Sequence, residues 1–394
     1  MNALKILLIS SVLPRDTTGG ELVLYRHLSR TSEFSLAIAT DDCQGLLAEE
    51  IIDIQGNRLL NRLTRTRISK WVHDVRQCFD TFHDTKKLQH YIKHKKPDII
   101  LTVAHHELCW LAQKMSQEFN IPLVTFFHDW WPDMAYVHSF ARKILISRFK
   151  GLYQQSQLVF CVSEEMKQAL GEHPNAQILF PIPEQFVIEK SLANSDREEA
   201  FTVIYAGNFS GIYGPMIQDL CNSCSTIAGL QLKLFGPQPD WQESLLQQVK
   251  DTGIYGGFVS RLNQELSKAN ALLVAMSFNQ LDKMRMQTSF PSKLVGYCQF
   301  GKPIIIWGPE YCSAVCWARK HQSALVVTSP VAEDLMKAIE ELATQSEEQK
   351  RLVKKALEMA QGMFNQEKIQ QQFVDSLTQV ASLKVKDLSY KWFK

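Results

Sequence analysis

Two glycines stand where the first predicted strand gives way to a helix, and this arrangement suits the binding of a phosphate or a sugar hydroxyl. Residues 5–12 are apolar and of strand length, and Gly19, Gly20 and Glu21 follow after Pro14. Because glycine lacks a Cβ, backbone N–H groups can approach a ligand closely, and the helix dipole favours negative charge there. A tight turn that needs glycine conformations is the alternative explanation.

A histidine at the end of another apolar run is our first candidate for a functional residue. His128 follows residues 123–127, where the carboxyl end of a buried strand would open on a ligand site. A neutral imidazole exchanges hydrogen bonds with hydroxyls at physiological pH. Asp129 comes next, and we group it with His128 as catalytic. Trp130 and Trp131 follow, and they either stack on a sugar ring or, as is commoner, pack in the core.

Polar residues also follow two other apolar runs in the first half of the chain. His105 and His106 follow residues 98–104, and Ser163 and Glu164 follow the run that begins at Leu158. Adjacent histidines on an extended segment point to opposite faces, so we expect only one of them, His105, to reach the site. Their spacing fits no H-E-x-x-H helix, and we predict no metal site.

One loop in the second half could bind a diphosphate. Ser292 and Lys293 begin a predicted helix after residues 290–291, which places backbone donors and one cation together. Lys283 and Arg285 flank the loop and could add positive charge. An ordinary capped helix with surface lysines is the alternative.

The elements that would hold these residues are strands and helices in alternation, which predicts parallel sheets. The strand-like runs are residues 5–12, 34–40, 98–104, 123–127, 158–163 and 178–181 in the first half, and 202–207, 231–236, 254–259, 271–276, 303–307 and 324–328 in the second. We therefore predict two Rossmann-like, doubly wound domains that face each other across a cleft. The polar segment 189–200 reads as their linker, and residues 331–383 have an almost wholly helical pattern.

Composition excludes several classes of function. The 394 residues carry 43 Lys and Arg against 41 Asp and Glu, a net charge of +2, so the overall charge gives no case for nucleic acid. The nine cysteines are scattered, which suits a reducing cytoplasm. No window approaches a membrane span. The G-x-G-x-x-G and Walker sequences are absent, which argues against hydride and phosphoryl transfer.

The chain resembles family 4 glycosyltransferases, which are retaining enzymes of GT-B fold. The resemblance rests on motifs in the family's order. They are the x-P-x-x-x-x-G-G-E loop, residues 97–100, 105–107, 121–124, 128–129 and 162–164 in the first half, and residues 205–208, 234–236, 289–294, 297 and 301–303 in the second. The resemblance covers most of residues 4–375 and implies a hexosyltransferase-type enzyme that needs no metal or cofactor.

The resemblance also implies roles for individual residues. His128 would contact the transferred sugar near the reaction centre, with Asp129 and Lys293 as the other catalytic residues. The acceptor or phosphate loops would comprise Gly19, Gly20, Glu21, His105, Ser163 and Glu164. The donor site would comprise Gly207, Asn208, Gly236, Phe258, Val259, Arg285, Phe290, Pro291, Ser292, Lys293 and Leu294. The donor would be a UDP- or GDP-linked sugar, and the acceptor a glycan or a lipid-linked molecule.

The sequence departs from the family's pattern in the donor half. The family's Arg and Lys after the first strand fall here on Asn208 and on residues 211–213, and its paired glutamates fall on Thr288 and Gly296. Two alternatives therefore stay open, a catalytically silent GT-B scaffold or binding subunit, and a nucleotide-sugar epimerase of the same fold.

The predicted domains are residues 1–190 with a C-terminal crossover helix at about 366–394, and residues 198–365. The favoured function is transfer of a sugar to an acceptor hydroxyl in polysaccharide or envelope glycan biosynthesis. We expect a cytoplasmic location, with peripheral contact to the inner face of the membrane as a further option. That contact would use the basic segment 58–76, whose cations lie among apolar residues. A solvated helix face is the favoured interpretation of this segment, and membrane contact is the alternative.

Overall fold

The computed structural model describes residues 3–17, 19–29, 33–46, 48–79, 83–184, 200–224 and 229–382. The predicted linker, apart from Ala200, and the predicted helical end at residues 383–394 lie outside the described residues. The chain divides into two compact units, Met1–Ile182 with Glu367–Lys394, and Pro183–Gln366, which we call the first and second domains.

A parallel sheet of seven strands forms the centre of the first domain. Its strands are β1 Leu4–Ile9, β2 Phe34–Thr40, β3 Glu50–Asp53, β4 Ile99–Val103, β5 Leu123–Phe127, β6 Leu158–Cys161 and β7 Ala176–Ile178. Their order across the sheet is β3-β2-β1-β4-β5-β6-β7. Every residue of β4, β5 and β6 is buried, which explains why these strands are continuous apolar runs in the sequence.

Helices connect these strands. They are α1 Gly19–Leu28, α2 Arg58–Leu63, α3 Ser69–Cys78, α4 Lys86–Lys95, α5 Leu108–Phe119, α6 Trp131–Met134, α7 Ser139–Gln155 and α8 Glu164–Leu170. The direction of the chain across the sheet reverses between the neighbouring strands β1 and β4. Open sheets of this kind bind ligands outside the carboxyl ends of the strands, at such a reversal.

The second domain repeats this scheme with six parallel strands. They are β8 Phe201–Ala206, β9 Leu230–Phe235, β10 Tyr255–Gly257, β11 Ala271–Ala275, β12 Ile304–Trp307 and β13 Leu325–Val327, in the order β10-β9-β8-β11-β12-β13. The helices are α9 Gly214–Cys224, α10 Glu243–Asp251, α11 Leu262–Lys268, α12 Lys283–Thr288, α13 Ser292–Tyr297, α14 Ser313–His321, α15 Ala332–Thr344 and α16 Ser346–Gln361. Short 3₁₀ turns lie at Gly211–Tyr213, Gln280–Asp282 and Cys298–Phe300. The order of the strands is that of a Rossmann sheet.

The last described helix, α17 Gln366–Ser382, returns to the first domain as the helical pattern predicts. Its residues Phe373 and Leu377 are fully buried in the core of that domain with Ile6 and Leu101 of the sheet. Burial of apolar side chains in this way stabilises the return by roughly 1.5–3 kcal/mol for each side chain.

The twelve predicted strands agree with observed ones to within a few residues, and one observed strand was missed. This strand, β3, is a four-residue edge strand in which only Ile52 is buried. A short strand with one buried residue has no alternating pattern that would distinguish it from a loop. The predicted fold of two doubly wound parallel-sheet domains with a returning C-terminal helix is confirmed.

Candidate functional site

His128 lies against the glycine loop in the first domain, although the two are far apart in the sequence. Its Nδ1 would stand 3.3 Å from a Cβ added to Gly20. Gly20 is the second residue of α1, and Gly19 before it has a φ of +60°, which glycine adopts without strain. The glycine loop and His128, which were both predicted as site features, are therefore in contact at the carboxyl end of the first sheet.

The environment of the His128 ring is unusual, because both of its nitrogens are buried and neither has a hydrogen-bond partner in the described protein. Burial lowers the pKa of this imidazole well below its ordinary value, and the nearby carboxylate of Asp129 opposes the shift only partly. The ring is therefore neutral at physiological pH, with one donor and one acceptor nitrogen. Unpaired buried polar atoms cost free energy, so a ligand that bonds to them would be stabilised.

Glu21 in the same loop is engaged by the protein itself. Its carboxylate pairs with Arg15 at 3.2 Å and accepts a hydrogen bond from the Thr17 hydroxyl at 2.7 Å. Arg15 also pairs with Asp42 at 2.7 Å, just after β2. This small network fixes the loop in front of α1, so Glu21 contributes to the shape of the loop.

The two histidines after β4 do not diverge as the extended-chain argument predicted. His106 has a φ of +55°, so the chain turns there instead of continuing as a strand. The rings of His105 and His106 consequently lie 4.5 Å apart, and the two ring centres stand 5.7 and 5.8 Å from that of Trp131. The premise that the two histidines lie on an extended segment is therefore wrong, and the choice of His105 as the residue that reaches the site stays a prediction.

The tryptophans after His128 belong to the core. Trp130 and Trp131 are 4% and 1% exposed, and Trp131 packs near Trp110 at 6.0 Å. Neither offers an open face to a sugar ring. Packing in the core was the commoner of the two roles considered for such a pair. The Trp131 indole N–H is buried without a partner in the described residues.

Ser163 and Glu164 lie at the start of α8. The Ser163 hydroxyl oxygen accepts a hydrogen bond from the backbone N–H of Met166 at 2.9 Å, which is a standard N-terminal cap. Glu164 is exposed in the first turn of this helix. Capping therefore accounts for the serine without a ligand.

In the second domain, the amine of Lys293 reaches across to the end of β8. A Cβ added to Gly207 would overlap the Lys293 Nζ, so only a glycine leaves room for the amine at this place. The same Nζ lies 5.3 Å from the centre of the Tyr205 ring, within the range of a cation–π contact. Desolvation lowers the pKa of Lys293 to about 8, although the residue as a whole stays exposed.

The loops after β8 and β9 are packed tightly together beside this amine. A Cβ on Gly236 would overlap the carbonyl oxygen of Gly207, and the Gly236 N–H donates to the Gly257 carbonyl at 3.0 Å. Phe258 follows directly and is 84% exposed, whereas Val259 is half-buried. An exposed aromatic ring at the carboxyl end of a strand offers a flat surface to a nucleobase.

Asn208 shapes its own loop. Its side-chain oxygen accepts from the Ser210 N–H at 2.9 Å, and its carbonyl oxygen accepts from the Tyr205 hydroxyl at 2.7 Å. Tyr205 was not predicted as a site residue, because an apolar strand gave no sign that its ring would lie beneath a lysine from α13.

The predicted diphosphate loop combines packing residues with one exposed cation. Phe290 and Leu294 are buried, and Phe290 packs against Trp317 at 5.9 Å. Pro291 precedes α13 and Ser292 is exposed at its start. The hydroxyl of Tyr297, at the end of α13, accepts from the Ala206 N–H at 3.2 Å and so fixes the helix to β8.

The positions of the family's two glutamates carry no acidic group here. Thr288 is buried, and its hydroxyl bonds to the Met284 carbonyl at 2.7 Å. Gly296 has open space where a side chain would stand. Of the flanking cations, Lys283 lies over the Tyr311 ring at 5.2 Å, and Arg285 is part of α12. Lys293 is the only one of these three cations that the structure places beside Gly207.

Comparison with known proteins supports the fold and the resemblance. Residues 24–178 match the model of glycosyltransferase family 4. No curated protein matches the sequence. The family match lies in the first domain, which also keeps the expected glycine loop and His128.

Solved structures match almost the whole chain at low sequence identity. Anabaena HepE in complex with UDP has a TM-score of 0.67 and 15% identity, over 95% of this chain and 100% of that one. HepE with UDP and glucose has a TM-score of 0.64 and 14% identity, over 97% and 100%. Sucrose-phosphate synthase from Thermosynechococcus elongatus has a TM-score of 0.66 and 16% identity, over 96% and 99%. The predicted GT-B fold and the likeness to family 4 are thereby confirmed.

Proposed function

From the likeness to GT-B glycosyltransferases, we propose that this chain transfers a sugar from a nucleoside diphosphate to an acceptor hydroxyl. The single observation that carries the proposal is the Lys293 amine beside Gly207, at the carboxyl end of β8. A cation fixed there would stabilise the charge that develops on a leaving diphosphate. UDP is the favoured nucleotide, because the similar HepE was solved with UDP.

In this proposal Lys293 supplies the positive charge at the leaving diphosphate that the Arg and Lys of the family supply, which are missing here. The exposed face of Phe258 would stack on the base, and the Lys293 amine beside Gly207 would bind the phosphates. His128 would bind the transferred sugar through its two unpaired nitrogens. We further propose, from the family resemblance alone, that configuration is retained, that no metal or cofactor is required, and that the product belongs to a polysaccharide or envelope glycan.

Activity with a labelled UDP-sugar tests this proposal against its two alternatives. A transferase moves the labelled sugar onto an acceptor in a cell extract, or slowly onto water, and releases UDP. An epimerase converts the label into a second UDP-sugar, with no net release of UDP. The missing carboxylates at positions 288 and 296 favour a silent subunit, which would produce neither change.

The lowered pKa of Lys293 gives a pH dependence with a defined sign. A lysine with a pKa of about 8 is charged below that pH and loses its charge above it. The affinity for UDP should therefore be nearly steady below pH 7 and fall by about twofold between pH 7 and 8. It should then fall between pH 8 and 9.5, by up to about tenfold for each pH unit.

Isothermal titration calorimetry across this range checks the prediction. The matched variant Lys293→Arg should keep its affinity through pH 9.5, because a guanidinium does not lose its proton there. A wild-type affinity that stays level to pH 9.5, or an equal fall in the arginine variant, would show that the titration of Lys293 does not govern binding.

A further inference from the structure

One surface of the first domain exposes a row of large apolar side chains on α3 and near the start of α7. Ile68, Trp71 and Val75 have the spacing of one helix face, and they are 49%, 57% and 38% exposed. Tyr136, Phe140 and Ile144 are 61%, 52% and 41% exposed. We call these six residues the α3–α7 face.

Two contacts join the part of this face on α3 to the part near the start of α7. The rings of Trp71 and Phe140 have their centres 5.7 Å apart, and Lys70 on α3 lies over the Tyr136 ring at 5.4 Å. The backbone N–H of His138 donates to the buried carboxylate of Asp74 at 2.8 Å, and this bond ties the start of α7 to α3. The α3–α7 face is therefore held in place by the fold itself.

A run of positive charge leads into this face along the chain. Between Asp53 and Asp74 the sequence has no acidic residue and five cations, which are Arg58, Arg62, Arg65, Arg67 and Lys70. The four arginines are exposed, and none of them forms an ion pair with another described residue. Arg76, by contrast, pairs with the buried Glu107 and is not available to a partner.

We infer that the α3–α7 face binds an anionic lipid bilayer, with its apolar side chains inserted and the arginines on the headgroups. Aromatic and branched aliphatic side chains next to unpaired cations are the combination by which peripheral proteins bind such membranes. A nucleic acid would also attract the arginines, but it offers no partner for exposed Ile68, Val75 and Ile144. No helix in the described part of the chain is long and apolar enough to cross a membrane.

The sequence pattern indicated only the segment 58–76 as a membrane contact. The structure adds a second group of residues, 136–144, to this surface. The inference does not depend on the proposed transfer reaction, because the face contains none of the residues assigned to the donor or the sugar. Membrane binding and UDP binding can be measured separately, so each can fail alone.

Vesicle flotation tests the inference. We expect the protein to float with vesicles of phosphatidylcholine containing 30% phosphatidylglycerol, and not with phosphatidylcholine alone. The double variant Trp71→Ser, Phe140→Ser should lose most of this binding. The triple variant Arg62→Glu, Arg65→Glu, Arg67→Glu should weaken partitioning by on the order of 100-fold. High salt should weaken the binding of the wild type, since exposed charges are screened.

Two controls on the second domain match these changes. Leu281→Ser removes an 88% exposed apolar side chain, and Lys250→Glu, Lys337→Glu, Lys350→Glu reverses three exposed lysines. Both controls should float like the wild type. The inference is overturned if the wild type does not float with anionic vesicles, or if the Trp71 and Phe140 variant or the arginine variant floats as well as its control. It is also overturned if the protein binds a short RNA through the arginines and anionic vesicles do not compete with that RNA.

Discussion

Replacement of Lys293 by alanine should lower kcat/KM for the sugar donor by about 100-fold or more, mainly through kcat. The reason is that the diphosphate gains negative charge as it leaves, and Lys293 is the candidate cation that the structure places beside Gly207. Steady-state rates of UDP release at several donor concentrations give both constants. The KM for the donor should also rise, because the same amine would bind the diphosphate in the ground state.

Two further variants complete this test. One changes the position of the Lys293 amine, and the other is a control at a different lysine. Gly207→Ala keeps the lysine but places a methyl group where its Nζ lies, so it should lose nearly as much activity as Lys293→Ala. Lys268→Ala removes an exposed lysine of the same domain that pairs with Glu265, and it should leave both constants unchanged. Kinetics of Lys293→Ala equal to those of the wild type would remove the residue from the mechanism.

Replacement of His128 by leucine should reduce kcat by about 100-fold without lowering the melting temperature. Both ring nitrogens of His128 are buried without partners, so the folded protein loses no hydrogen bond when the ring is removed. The leucine instead relieves the cost of burying two unpaired polar atoms, and the melting temperature should stay level or rise. Loss of activity with gain of stability is the pattern expected of a residue kept for function.

Differential scanning calorimetry and donor kinetics on the same preparation measure both effects. His128→Gln supplies a polar side chain with one donor and one acceptor, so it should recover part of the lost activity. A leucine variant that is clearly less stable and still active would show instead that the histidine supports only the packing of the loop near Gly20.

The strands could be predicted because they are buried on both faces, so that β4, β5 and β11 are unbroken apolar runs. The edge strand β3 could not, since only Ile52 is buried in it. The return of α17 was predicted from a helical stretch too long to cover one sheet. The order of the strands then follows from the short connections between them, as is usual for doubly wound sheets.

The candidate site was predictable only where a residue follows its strand directly. His128 and Gly207 are such residues, and each lies at the carboxyl end of its sheet. The contact between Lys293 and Gly207 could not be foreseen, because it joins residues 86 positions apart through the fold of α13. The turn of the chain at His106 could not be foreseen, since a left-handed residue after a strand has no clear signal when it is not glycine.

In our proposal, the second domain holds a nucleoside diphosphate beside Lys293. Saturation-transfer difference NMR with UDP, comparing the wild type with Lys293→Ala and Lys268→Ala, tests it most directly. We expect saturation transfer to the uracil and ribose protons of UDP in the wild type and in Lys268→Ala, and a clear reduction in Lys293→Ala. Absence of transfer from the wild type to UDP and also to GDP would rule out a nucleoside diphosphate site, and equal transfer from all three proteins would rule out a contribution of Lys293 to it.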